Sequence, residues 1–76
     1  MNWKQINNKL IKEYIFPNQT EAVLFLLKVA QIADQNQHHP DVYIFECSKL
    51  RLELFTHSTQ SISDLDYFLA KQIDLL

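Results

Sequence analysis

The chain reads as an α+β domain in which a four-stranded antiparallel sheet carries helices on one face, in the order ββαββα. Three observations predict this. Between Lys49 and Leu54 the sequence alternates with period two, placing Leu50, Leu52 and Leu54 on one face and Lys49, Arg51 and Glu53 on the other. Apolar residues recur at helical spacing in two separate stretches. The strand–strand–helix pattern occurs twice, and a shared sheet with both helices on one side buries it best.

The elements follow in order. Trp3–Ile6 and Leu10–Phe16 form a hairpin turning at Asn7-Asn8, because Asn tolerates the left-handed region better than other non-glycine residues. Pro17 ends it. Asn18 or Thr20 then caps a helix with Glu21 in its first turn. Its apolar positions are Ala22, Val23, Leu26, Val29, Ala30 and Ala33, widened by Phe25 and Ile32, and it runs to about Gln35 or Asn36. Pro40 blocks continuation and pushes His39 into an extended conformation. Val42–Phe45 and Leu50–Thr56 make a second hairpin turning near Cys47-Ser48. A last helix starts at Ser61-Ile62-Ser63-Asp64 or at Ser63-Asp64-Leu65-Asp66, each a serine followed three residues on by an acid. Leu65, Phe68, Leu69, Gln72, Ile73 and Leu76 are its expected inner face.

Seventy-six residues make a single domain, 1–76, with a small core. Yet 47% of the chain is hydrophobic, more than so small a core readily hides, which points to a self-association surface. The net charge of -2 and the lack of a Lys/Arg cluster argue against a nucleic-acid face. A lone Cys47 excludes an internal disulfide and fits a reducing cytoplasm. No signal peptide is visible, and the apolar run Ala22–Leu27 is far short of a membrane span.

All three histidines fall in one constellation: His38-His39-Pro40, then Thr56-His57, with Asp66 beyond. Imidazoles give and accept protons near neutrality, so this pattern points to proton transfer, set against three unrelated surface histidines. Neighbours in an extended segment point to opposite sides, so only one of His38 and His39 faces a given pocket. Counting along the strand puts His57 off the helix-covered face. Asp34 lies four residues before His38, where a carboxylate could orient the imidazole. Asp66 is a capping-box acid opened by Ser63, which also fixes where its carboxylate points. Three histidines and an aspartate could hold zinc, but vicinal His-His lacks the usual chelating spacing, and no metal is expected. There is no glycine, hence no Gly-rich phosphate loop.

These residues, together with Glu21-Ala22, Phe25, Val29-Ala30, Ala33-Asp34, Leu69-Ala70 and Ile73-Asp74, resemble the pterin-4a-carbinolamine dehydratases from Trp3 to the C-terminus. The resemblance implies dehydration of 4a-hydroxytetrahydrobiopterin to quinonoid dihydropterin, without metal or cofactor, in support of tetrahydrobiopterin recycling. It implies His38, His39 and His57 as the acid/base set and Asp34 and Asp66 as groups that orient or tune them. Pro40, Thr56, Ser58 and Thr59 would shape the pterin pocket with Asp34. It also implies a homodimer or homotetramer, and an N-terminal helix of longer relatives that this chain lacks. Where those relatives have an aromatic residue at the second hairpin turn, a glycine before the last helix and an aromatic at the helix start, this chain has Cys47, Ser61 and Gln19. The competing expectation is a non-catalytic dimerisation or binding module of the same fold.

Overall fold

The computed structural model describes residues 2–76. Its elements are β1 Lys4–Ile6, β2 Lys9–Ile15, α1 Gln19–Asn36, β3 Asp41–Phe45, β4 Lys49–Leu54 and α2 Asp64–Asp74. The strands form one antiparallel sheet in the order β1-β2-β4-β3, leaving β1 and β3 at the edges. The α+β architecture is therefore the expected one. Register follows the alternation: Leu10 opposes Leu54, Lys12 opposes Leu52 and Tyr14 opposes Leu50 on the helix-covered face.

Without glycine, the turns force other residues into the left-handed region. Ile6 pairs with Lys9 across Asn7 and Asn8, whose φ values of 52° and 61° suit a hairpin that keeps the strand twist. The second hairpin joins Phe45 to Lys49 through Glu46–Ser48, with φ of 48° at Glu46 and 71° at Cys47. The bend thus starts one residue before the expected Cys47-Ser48.

Helix α1 begins where the Asn18 side chain accepts the Glu21 N–H at 2.9 Å, which settles the cap in favour of Asn18 over Thr20. It ends in a Schellman motif. Gln37 takes φ 50° and ψ 37°, its N–H donates to Asp34 O, and the His38 N–H donates to Ala33 O at 3.2 Å.

The core lies between the sheet and both helices: Leu10, Leu50, Leu52 and Leu54 meet Val29, Leu69, Ala70 and Ile73. Burying each leucine contributes roughly 2 kcal/mol. Trp3 closes one end, its Nε1–H donating to Asp74 Oδ1 at 3.0 Å while Lys12 Nζ reaches the same oxygen at 2.8 Å. Beside them, burial pushes the Tyr14 phenol above its ordinary range, opposed by the Lys12 charge. Burial works against the Lys12 ammonium, but its hydrogen bond to Asp74 helps to outweigh this, and its pKa is raised.

Three expectations are corrected. The inner face of α2 is Asp66, Leu69, Ala70 and Ile73, whereas Leu65, Phe68 and Leu76 are exposed. The cause is the anchoring of Asp66 against the end of the sheet, which rotates Leu65 and Phe68 outward. On α1, likewise, Ala22 is buried and Val23 exposed. Strand β4 stops at Leu54 rather than Thr56. Thr56 instead makes an isolated bridge to Ser61, donating its N–H to Ser61 O at 2.8 Å.

Candidate active site

The Schellman turn and Pro40 set the two vicinal histidines. Having donated its N–H back to α1, His38 turns inward, and its side chain is only 12% exposed. Its Nε2 lies 2.5 Å from Asp66 Oδ1. His39 points the other way, as an extended pair requires, with Nε2 2.8 Å from Asp34 Oδ1. Asp34 thus faces His39 rather than His38, because the left-handed Gln37 breaks the helical i,i+4 relation on which the expected pairing rests. His57 falls off the helix-covered face, its ring centroid 4.2 Å from that of Phe55. Its Nε2 is 3.5 Å from Asp41 Oδ1.

Each imidazole therefore has its own carboxylate. The pairs differ in setting. His39 and His57 are 57% and 59% exposed, with solvent-facing acids, whereas Asp66 beneath His38 is fully buried. The segment 38–41 meets the 56–57 segment at one end of the sheet, through His38 and Thr56 on Asp66 and through Asp41 on His57.

A buried carboxylate needs donors, and Asp66 has them. Its Oδ2 accepts the Ser63 N–H at 2.8 Å, the reciprocal limb of a capping box, and the Thr56 hydroxyl at 2.9 Å. Thr56 Oγ1 is also 2.6 Å from Ser63 Oγ. The carboxylate thus ties α2, the end of β4 and the turn after α1 to one another.

Pro40 is partly buried beside this cluster, and Ser58 and Thr59 lie exposed in the following loop. There Thr59 Oγ1 donates to Thr56 O at 3.3 Å, and the Gln60 amide donates to His57 O at 2.8 Å. Asp41 is absent from the residues that the sequence singles out. It opposes Glu53 in the β3–β4 register, so counting by two puts it on the face of His57, and that parity is the available signal. On the same uncovered face Glu53 is buried between Lys9 Nζ at 3.1 Å and Arg51 Nε at 3.2 Å, and Lys9 sits 4.7 Å above the Phe55 ring.

The concavities on the uncovered face, around Glu13 and Arg51, and on the outer side of α1, around Leu24 and Leu27, are not lined by a histidine. Among the described residues no group of three or more His, Cys, Asp or Glu is arranged to hold a metal ion. None of the described helices is long and apolar enough to cross a membrane. The arrangement offers proton donors and acceptors, two of them open to solvent.

The model of the family described as pterin 4 alpha carbinolamine dehydratase matches residues 1–76. A protein of Sulfurisphaera tokodaii, provisionally named pterin-4-alpha-carbinolamine dehydratase, is 46% identical over 97% of this chain and 78% of its own length. One of Sulfolobus acidocaldarius with the same provisional name is 42% identical over 95% of this chain and 78% of its own. Among solved structures, a Brucella melitensis protein described as a transcriptional coactivator/pterin dehydratase has a TM-score of 0.88 at 21% identity, covering 97% of this chain and 80% of that one. A pterin dehydratase-like protein described as a RuBisCO assembly factor in the alpha-carboxysome has a TM-score of 0.77 at 17% identity, covering 99% and 88%. These two likenesses establish the fold alone. The whole-chain family match, with relatives above 40% identity over most of both lengths, makes this chain a member of the pterin 4 alpha carbinolamine dehydratase family.

Proposed function

We propose that the protein dehydrates 4a-hydroxytetrahydrobiopterin to quinonoid dihydropterin and water by histidine acid/base catalysis, supporting tetrahydrobiopterin recycling. An acid protonates the 4a-hydroxyl as the carbon–oxygen bond breaks and the electron pair leaves with oxygen as water. A base takes the proton of the adjacent ring nitrogen, and the pair released forms the carbon–nitrogen double bond. The acid and the base are drawn from His38, His39 and His57. Asp66 and Asp34 hold His38 and His39, while Pro40, Thr56, Ser58 and Thr59 border the substrate. The reading needs neither metal nor cofactor, and it carries a homodimer or homotetramer in the cytoplasm.

The single observation that supports it most is that each imidazole has a carboxylate of its own beside one nitrogen, hydrogen-bonded at His38 and His39 and 3.5 Å away at His57. That contact orients the ring and leaves its other nitrogen for a reacting group. The test is to mix the protein with freshly generated 4a-hydroxytetrahydrobiopterin and follow its ultraviolet absorbance. Faster loss that scales with protein concentration is the expected result. Decay at the uncatalysed rate with micromolar protein overturns the proposal.

A second reading is a non-catalytic binding module. What favours it is the exposed apolar surface on the helices, Val23, Leu24 and Leu27 on α1 and Leu65 and Phe68 on α2. The description of one structural neighbour as an assembly factor points the same way. Under this reading the chain binds a partner or itself and leaves pterin decay unchanged.

A further inference from the structure

Thr56 stands next to His57, yet its side chain is committed elsewhere. Its hydroxyl donates to Asp66 Oδ2 at 2.9 Å, the oxygen that also accepts the Ser63 N–H at 2.8 Å. The backbone amide can only donate, so Oδ2 is an acceptor. The other oxygen, Oδ1, meets Nε2 of His38 at 2.5 Å. A carboxylate has no hydrogen to give, so at this contact the imidazole must be the donor.

We infer that Thr56 is a positioning residue for His38: by engaging Oδ2 it turns Oδ1 to the ring and locks His38 as the tautomer protonated at Nε2. Nδ1 is then the only atom through which this ring, in its neutral form, takes up a proton. Sequence separation hides the relation, since Thr56 and His38 lie on different elements and meet only through Asp66. Ser63 supports the arrangement twice, by its amide on Oδ2 and by its hydroxyl 2.6 Å from Thr56 Oγ1. The consequence for turnover rests on the dehydratase reading; the tautomer does not.

The experiment is a long-range 1H–15N correlation spectrum of the uniformly labelled protein, at a pH high enough for neutral imidazoles, beside steady-state dehydration kinetics. Wild-type His38 is expected as the single Nε2–H tautomer. Thr56→Val is expected to give a mixture of tautomers and a kcat lower by roughly 10-fold, as loss of an orienting partner does elsewhere, with KM little changed. Thr56→Ser restores both readouts. A wild-type ring protonated at Nδ1 overturns the inference, as does a Thr56→Val protein with an unmixed tautomer and unchanged kcat. The wild-type spectrum needs no variant, so the tautomer can be refuted even where Thr56→Val does not fold. Wild-type protein without turnover but with the Nε2–H spectrum would uphold the lock while overturning the dehydratase reading.

Discussion

Replacing Asp66 by asparagine tests the buried junction most directly. The change conserves size but removes the charge and turns one acceptor into a donor. The new side-chain amide keeps its carbonyl toward the Ser63 amide and Thr56 hydroxyl, which require an acceptor. Its NH2 group then confronts His38 Nε2, and two donors face each other unless the ring moves its hydrogen to Nδ1. Hydrogen bonds to a charged group contribute about 1.5–3 kcal/mol against 0.5–1.5 for neutral ones. Three such contacts weaken together, and relief from burying a charge offsets part of the loss. The net expectation for Asp66→Asn is a destabilisation of about 2 kcal/mol, or roughly 8–16 °C in Tm for a domain this size. Thermal melts followed by circular dichroism measure it, and urea titration gives the free energy directly. Asp66→Ala should be worse, at about 3–5 kcal/mol, because it leaves its donors without an acceptor. An Asp66→Asn variant melting within about 2–3 °C of wild type, well inside the scale of 4–8 °C per kcal/mol, would refute this account of the junction.

Other perturbations probe separate parts of the molecule. Gln37 sits at φ 50° where glycine is favoured, so Gln37→Gly should raise stability by about 0.5–1 kcal/mol after the entropy of the unfolded chain is counted; a lower Tm would contradict the strain assigned there. His57→Ala should lower kcat by roughly 10²–10⁴-fold under the dehydratase reading, with Tm close to wild type because the ring is largely exposed; an unchanged rate would assign the proton to another histidine. Tyr14 and Lys12 both have pKa values raised in the folded state. Their contribution is therefore complete below the ordinary values of 10.0 and 10.5 and lost as pH climbs through the folded ones. Tyr14→Phe should show a smaller fall in Tm between about pH 9 and pH 11 than wild type, and an identical fall would remove Tyr14 from the cause.

Most of the architecture is legible in the sequence because it follows local rules. The alternation Leu50, Leu52, Leu54 sets the register of the central strands, and Asn18 and Ser63 stand at helix starts where capping chemistry puts them. What stays hidden depends on tertiary contact. The rotation of α2 is governed by a hydrogen-bonded polar residue, so its apolar periodicity points to Leu65 and Phe68 when Asp66 and Ala70 face inward. The partition of carboxylates is hidden for the same reason. Spacing suggests Asp34 for His38, but one left-handed residue after the helix redirects the chain and gives Asp34 to His39. Asp41 lies within reach of strand parity, but the apolar run that marks its strand begins only at Val42.

The ionic cover over Glu53 has a reach beyond its own strand. Lys9 neutralises Glu53 and also roofs the Phe55 ring, and that ring is the floor on which His57 rests. A residue beside the first hairpin turn is thereby coupled to an imidazole forty-eight positions along the chain. Loss of the Lys9 ammonium would therefore loosen the seating of that histidine well before it disturbs the leucine layer beneath.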